Sequence, residues 1–139
     1  MTNTKFSFPI PGIQPTDEIK HIQKPLFKFF VISGLFAIRI NQGGARIKDR
    51  YGERYIKFAY WQILGQPIEN KGISDLMGIC KCGHVFIFEC KLPGKKPTDT
   101  QALFLNSFDG FDVTKDVVYS IDHGMEIINN HLEVCNANR

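Results

Sequence analysis

The chain lacks most of the features that would place it in a special class. Its four cysteines do not fall at the spacings of a secreted disulfide framework. No apolar run is long enough to cross a bilayer, so no helical membrane span is expected. The N-terminus has no charged-then-apolar targeting segment, and neither an internal repeat nor a low-complexity tract is present. Charge is only mildly unbalanced, at +3 with a pI near 8.7, which permits contact with nucleic acid without demanding it. What remains is a chain of 139 residues whose 12% aromatic content can build a core. The expectation is one soluble, reduced, cytoplasmic domain over Met1–Arg139, with no membrane partner and no organic cofactor.

Hydrophobic periodicity gives the order of elements. Met1–Pro15 holds three prolines and little periodicity, and reads as an extended arm. Thr16 or Asp17 then caps a helix carrying Ile19, Ile22, Leu26, Phe29 and Phe30, with Pro25 predicting a kink or a late start and Gly34 ending it. Leu35–Asn41 reads as a strand. Ala45–Trp61 alternates apolar and basic residues about a turn at Tyr51 and Gly52, which predicts a hairpin with one wet, positive face. Leu64–Gly72 reads as a loop, and the apolar stretch that follows reads as two strands. Thr98 opens a helix through Ala102, Leu103 and Leu105. Asp116–Ile121 is expected to be a strand, Asp122 to cap a last helix through Met125, Ile128 and Leu132, and Val134–Arg139 to fray as a flexible tail. A hairpin followed by a helix and another strand implies a mixed α/β (α+β) sheet with helices against its faces.

The most informative stretch is Gly72–Lys96, "GISDLMGICKCGHVFIFECKLPGKK". It is apolar and β-prone, yet carries Asp75, Glu89 and Lys91, and buried charges are costly unless paired, hydrogen-bonded or bound to a metal. Its geometry turns on the hairpin loop. With Lys81–Gly83 as a three-residue loop, Gly83 occupies the left-handed position such a loop needs. Cys80 then faces His84, Asp75 faces Glu89, and Lys91 follows on the same face. A two-residue loop would put the acids on opposite faces. In the favoured register Leu76, Gly78, Phe86, Phe88 and Cys90 form one apolar face, while Ile73, Met77, Ile79, Val85 and Ile87 lead up to the charged end of the other. Two opposed carboxylates repel, and one tends to keep its proton. A hard divalent cation such as Mg²⁺ removes that conflict and suits phosphodiester hydrolysis, with Lys91 placed to orient water or stabilise developing charge. The alternative is an ordinary amphipathic hairpin with solvated residues at its open end.

"GISD", then "ECK", then "PGKKPTDTQALFLN" resembles the PD-(D/E)XK nuclease superfamily, and within it the virus-type replication-repair nuclease (VRR-NUC) domain, over Asp17 to Ile128. "RINQGG" is similar to an Arg-x-Asn strand end of that family, and Ser74 stands where the family usually has proline. The resemblance implies a restriction-endonuclease-like αβββαβ core. It implies Asp75 and Glu89 as metal ligands with the carbonyl of Cys90, and Lys91 as the catalytic lysine. Gln101 would orient the lysine or the scissile phosphate, and Glu18 is the best-placed acid on the first helix. It implies DNA cleavage with Mg²⁺ or Mn²⁺, on branched, flap or junction substrates, by a homodimer. A non-catalytic nucleic-acid-binding protein on the same fold is the competing class.

Other residues carry two readings each. "TDTQ" is a capping box, in which Gln101 turns back to the cap N–H. Arg39, Asn41, Arg46, Lys48, Arg50, Arg54 and Lys57, interleaved with Tyr51 and Tyr55, either track phosphates or form a solvated face, and Lys95 and Lys96 follow the same logic. Cys80, Cys82, His84 and Cys90 do not match the spacing of a tetrahedral zinc site. Cys135 reads as an isolated tail residue, and His21, His123 and His131 are given no role.

Overall fold

A computed structural model describes residues 14–40, 45–56, 60–65 and 70–137. Most of the proline-containing arm therefore lies outside the described residues. The first helical run starts at Asp17, whose Oδ1 accepts the Lys20 N–H at 2.9 Å. It makes a π turn over Ile19–Gln23 and passes directly into α1, Lys24–Ile32. The Lys24 N–H reaches back to the Ile19 carbonyl. The wider turn takes up an extra residue just before Pro25, whose missing N–H interrupts the backbone ladder where the π turn passes into α1. The expected interruption is thus a π turn. The run buries Ile22, Leu26, Phe29 and Phe30. Gly34, at φ 85°, closes it with two backbone bonds, Gly34 N–H to the Val31 carbonyl and Leu35 N–H to the Phe30 carbonyl, each 3.0 Å.

Strand β1, Phe36–Arg39, follows. β2, Ala45–Asp49, and β3, Gly52–Ile56, form a separate ribbon turning at Arg50 and Tyr51. The expected long hairpin stops there, because β4, Tyr60–Trp61, pairs instead with β5, Asn70–Lys71, inside the stretch expected to be loop. β6, Leu76–Ile79, and β7, Val85–Cys90, come next, then α2, Asp99–Asn106, β8, Val113–Val118, and α3, Ile121–Ala137. β8 starts three residues before the expected strand, since its parallel pairing with β7 begins at Val113 opposite Val85. Ser120, rather than Asp122, caps α3 by accepting the His123 N–H at 3.1 Å. The helix continues past Val134 to Ala137.

The main sheet has the order β1-β6-β7-β8, antiparallel except for the β7–β8 pair. Helix, three strands, helix and strand give the αβββαβ core, with the two ribbons inserted between β1 and β6. One face of the sheet, with Leu76, Phe86, Phe88 and Cys90, packs on Leu26 and Phe30 of α1 and Ile128 of α3. The other, with Ile87, Met77 and Val85, packs on Phe104 and Leu105 of α2. β7 is therefore covered on both sides. Two glycines allow the close approach. A Cβ at Gly78 would stand 2.6 Å from the Phe30 ring, and one at Gly124 would stand 2.7 Å from Leu26. No helix among the described residues is long and apolar enough to cross a membrane.

Candidate active site

The loop between β6 and β7 fixes which residues meet. The Cys80 N–H bonds to the His84 carbonyl at 2.9 Å, and the Gly83 N–H to the Cys80 carbonyl at 2.8 Å. Gly83 has φ 92°, the left-handed value that the turn requires. Leu76 then pairs with Phe88 and Ile79 with Val85, so Asp75 and Glu89 stand opposite each other one step further along. Both are buried, at 9% and 1% exposed.

Each acid is held by the elements around it. The Asp75 carbonyl accepts the Ile40 N–H at 2.8 Å, extending the β1–β6 pairing, and its Oδ2 accepts the Cys90 N–H at 2.8 Å. Glu89 Oε1 accepts Nε2 of Gln101 at 2.7 Å. Gln101 is also the third residue of α2, and its Oε1 accepts the Thr98 N–H at 2.8 Å, completing the capping box. One end of its amide thus makes the expected cap, while the other holds Glu89, a partner different from the lysine or phosphate that the resemblance implied. Lys91 is anchored by its N–H to the Val118 carbonyl at 3.0 Å, and its Nζ lies 4.0 Å from Glu89 Oε1.

The electrostatics follow from burial. Loss of water pushes both carboxyl groups above their ordinary values. For Glu89 the Asp75 charge and their mutual hydrogen bond add to the rise, and Lys91 opposes it. For Asp75 the Cys90 N–H, the bond to Glu89 and Lys91 oppose the rise. Glu89 is therefore the partner that keeps the proton and shares it with Asp75. Glu18, at the head of the π turn, is raised first by burial, lowered by Lys91 and raised by Asp75, and its carboxylate accepts the Leu92 N–H. Lys95 also lowers it, which brings the basic loop to the edge of the same cluster. Three acids and a lysine from three separate segments converge at the open end of one hairpin. Buried, paired carboxylates fit a hard divalent ion by their donor chemistry. The Cys90 thiol faces the core, and burial pushes it up, so the backbone carbonyl is the donor that this residue can offer a hard ion.

The basic residues are dispersed. Arg39, at the end of β1, is opposite Leu76 and exposed. Lys48, Arg50, Arg54, Lys95 and Lys96 are exposed. Arg54 departs from the single positive face expected of the ribbon. Lys48 is opposite Glu53 and Arg54 opposite Ile47, which puts the two basic residues on opposite faces. Arg54 also pairs with Asp49 at 3.1 Å, and the Arg50 guanidinium lies over the Tyr51 ring. Arg46 has a place in β2, opposite Tyr55. Asn41 and Lys57 lie outside the described residues.

A second cluster went unread in the sequence. Cys80, Cys82, His131 and Cys135 have ligand atoms all within 4.8 Å of one another. Cys135 and His131, set aside as isolated residues, come from α3 and meet the cysteines of the β6–β7 loop. The His84 N–H and the His131 ring draw the Cys82 thiol down to about 6, while hydrogen bonding to Cys82 pushes Cys135 up to about 11. The spacing of His131 and Cys135, one helical turn apart, was the available signal; what it lacked was a partner near in sequence.

The fold and the acidic site define a mixed sheet with helices on both faces and a proton-sharing carboxylate pair at one strand end. Among known proteins no family model, curated sequence or solved structure matches the chain.

Proposed function

We propose that the chain is a metal-dependent DNA endonuclease that hydrolyses phosphodiester bonds, selective for branched, flap or junction structure. The observation that carries this reading is the opposed, buried Asp75–Glu89 pair with Lys91 beside it. Asp75, Glu89 and the Cys90 carbonyl would hold Mg²⁺ or Mn²⁺, which supplies Lewis-acid polarisation of a phosphoryl oxygen and neutralises charge there. The residues of the chain do the rest. Glu89 gives up the proton that it shares with Asp75 when the site is loaded. Gln101 fixes the orientation of the Glu89 carboxylate from a rigid helix start. Lys91 places positive charge where the substrate oxygens gain negative charge. Lys95 and Lys96, on the exposed loop at the edge of the cluster, together with Arg39, are placed to meet phosphates. Selection by shape follows from the lack of any separate reading element among the described residues.

Two further points belong to this reading. A homodimer would supply paired cuts, and the edge strand β1, with Val31, Ile32 and Phe36 exposed nearby, offers a surface for it. Four free thiols accord with a reducing, cytoplasmic setting.

The test is cleavage of end-labelled duplex, flap and four-way-junction DNA and of matched RNA, with Mg²⁺, with Mn²⁺ and with neither. Wild type is run beside Glu89→Ala. The expected result is metal-dependent DNA cutting that falls by at least about 10²–10³-fold in the variant while DNA binding persists. Equal cutting by the variant overturns the site. Binding without cutting in either metal favours the non-catalytic DNA-binding protein instead.

A further inference from the structure

The Cys80, Cys82, His131 and Cys135 cluster stands apart from the acids, at the closed end of the same hairpin. Asp75 and Cys80 are five positions apart along one strand, roughly 17 Å at the usual strand rise. Two of the cluster's edges have the lengths of a coordination shell, and all of its ligand atoms lie within 4.8 Å of one another. The Cys80 and Cys135 sulfurs are 3.9 Å apart, and Cys82 Sγ is 3.5 Å from His131 Nε2. Around a tetrahedral zinc, with Zn–S near 2.3 Å and Zn–N near 2.0–2.1 Å, sulfur–sulfur edges come to about 3.8 Å and sulfur–nitrogen edges to about 3.6 Å. No large backbone movement is needed to bring four ligands to one centre.

We propose that Cys80, Cys82, His131 and Cys135 bind one structural Zn²⁺ that clasps the tip of the β6–β7 hairpin to α3. The donor set is Cys₃His, one of the closed tetrahedral sets, and four protein ligands leave no position open for substrate. Thiolates select zinc over magnesium, whereas the carboxylates at the other end of the hairpin select the reverse. The ligands are braced as metal ligands usually are. The His84 N–H donates to the Cys82 sulfur. The His84 ring stacks on His131, with centroids 4.1 Å apart and planes at 17°, and is itself tied to Thr114 Oγ1 at 2.7 Å. An open cleft of about 440 Å³ bordered by Cys82, His84, Asp112 and His131 gives an ion a route in. Binding releases a proton from each thiol that is not already ionised, and no oxidant or reductant is involved. A clasp joining chain segments 55 residues apart also explains why the last helix carries a histidine and a cysteine one turn apart.

This inference does not rest on the nuclease reading, and its test does not use nuclease activity. The full chain is purified in reducing buffer, and its zinc content is measured by mass spectrometry. The zinc is then exchanged for Co²⁺ and the absorption spectrum recorded. One zinc per chain is expected, with the visible bands of tetrahedral cobalt and a thiolate-to-cobalt charge-transfer band. Cys82→Ser combined with Cys135→Ser should lose both signals, and Asp75→Asn should keep both. A wild-type protein without stoichiometric zinc that gives only the weak spectrum of six-coordinate cobalt overturns the proposal. So does full zinc retention in the double variant, or formation of a Cys80–Cys135 disulfide in place of metal uptake. The wild-type cobalt spectrum decides the matter even where the double variant fails to fold.

Discussion

The two ends of the β6–β7 hairpin are opposites built on one register. At the open end, carboxyl groups come from the two hairpin strands and the start of the first helical run, and the buried pair Asp75 and Glu89 shares a proton. At the closed end, thiols and an imidazole, from buried Cys80 to exposed Cys82, bring a loop against a distant helix. The contrast teaches that one turn, fixed by Gly83, places both groups. The glycine sets which residues oppose each other, so Asp75 meets Glu89 at one end while Cys80 stands beside the turn and Cys82 within it at the other. On the two proposals, the carboxylates of the open end suit a hard cation, and the thiols and imidazole of the closed end suit zinc.

The largest expected effects separate the two ends. Asp75→Asn should abolish cleavage yet leave zinc content and melting temperature in Mg²⁺-free buffer nearly unchanged or raised, since it removes a charge that burial disfavours. Lys91→Ala should cut the rate by about 10²-fold with a smaller change in the Mg²⁺ concentration needed for half-maximal cutting. Parallel titrations of both variants give these numbers. If Asp75→Asn still cuts, the two ends differ in ligand type but not in function. A blow to the middle should loosen both ends together. Gly78→Ala pushes a Cβ to 2.6 Å from Phe30, whose ring is locked between Phe86 and Phe88. It should cost about 1–3 kcal/mol, read as a lowered urea midpoint, with zinc lost more readily to chelator.

Which parts were legible in the sequence follows from the range of the signals. The register, the two apolar faces and the convergence of Asp75, Glu89 and Lys91 were readable because they depend on a single turn and the period-two alternation of strands. Gln101 was readable for the same reason, as part of a local capping box. The cysteine site was not, because His131 lies 49 residues from Cys82, and only the packing of α3 under the hairpin brings them together. The start of β8 was misplaced because parallel pairing with β7, and not local composition, decides where it begins. Arg54 was misplaced because alternation was read without pairing, which puts it beside Asp49 on the face away from Lys48, with Glu53 opposite Lys48.

A pH experiment sharpens the same comparison with a smaller effect. Burial raises the folded-state value of Glu89 above its ordinary 4.5. A carboxyl raised in this way contributes stability that is fully present below the unfolded value and is lost as pH rises through the folded one. In Mg²⁺-free buffer the melting temperature should fall as pH rises from about 4.5 to about 9. Glu89→Gln should flatten the fall, and added Mg²⁺ should reverse it by replacing the proton. The acid limb of the cleavage profile should move down by up to about one pH unit for a tenfold rise in Mg²⁺ where one proton is displaced. A melting temperature independent of pH in both proteins would mean that the acids do not share a proton.

The smallest effect distinguishes the two hydrogen bonds of Gln101. Thr98→Ala removes the hydroxyl that accepts the Gln101 N–H but leaves the Gln101 amide able to donate to Glu89. It should cost about 1 kcal/mol of stability and change cleavage by less than about twofold, because the acid pair keeps its positioning partner. Gln101→Ala removes the return bond of the capping box together with the 2.7 Å bond to Glu89. It should destabilise the helix by a similar amount and slow cleavage roughly tenfold, with Gln101→Glu failing to restore activity because it places a fourth carboxylate against the cluster. Equal cleavage losses in Thr98→Ala and Gln101→Ala would mean that the helix start alone matters. Loss confined to Gln101→Ala would mean that the amide serves the acid pair directly, and that one side chain links the stability of α2 to the chemistry of β7.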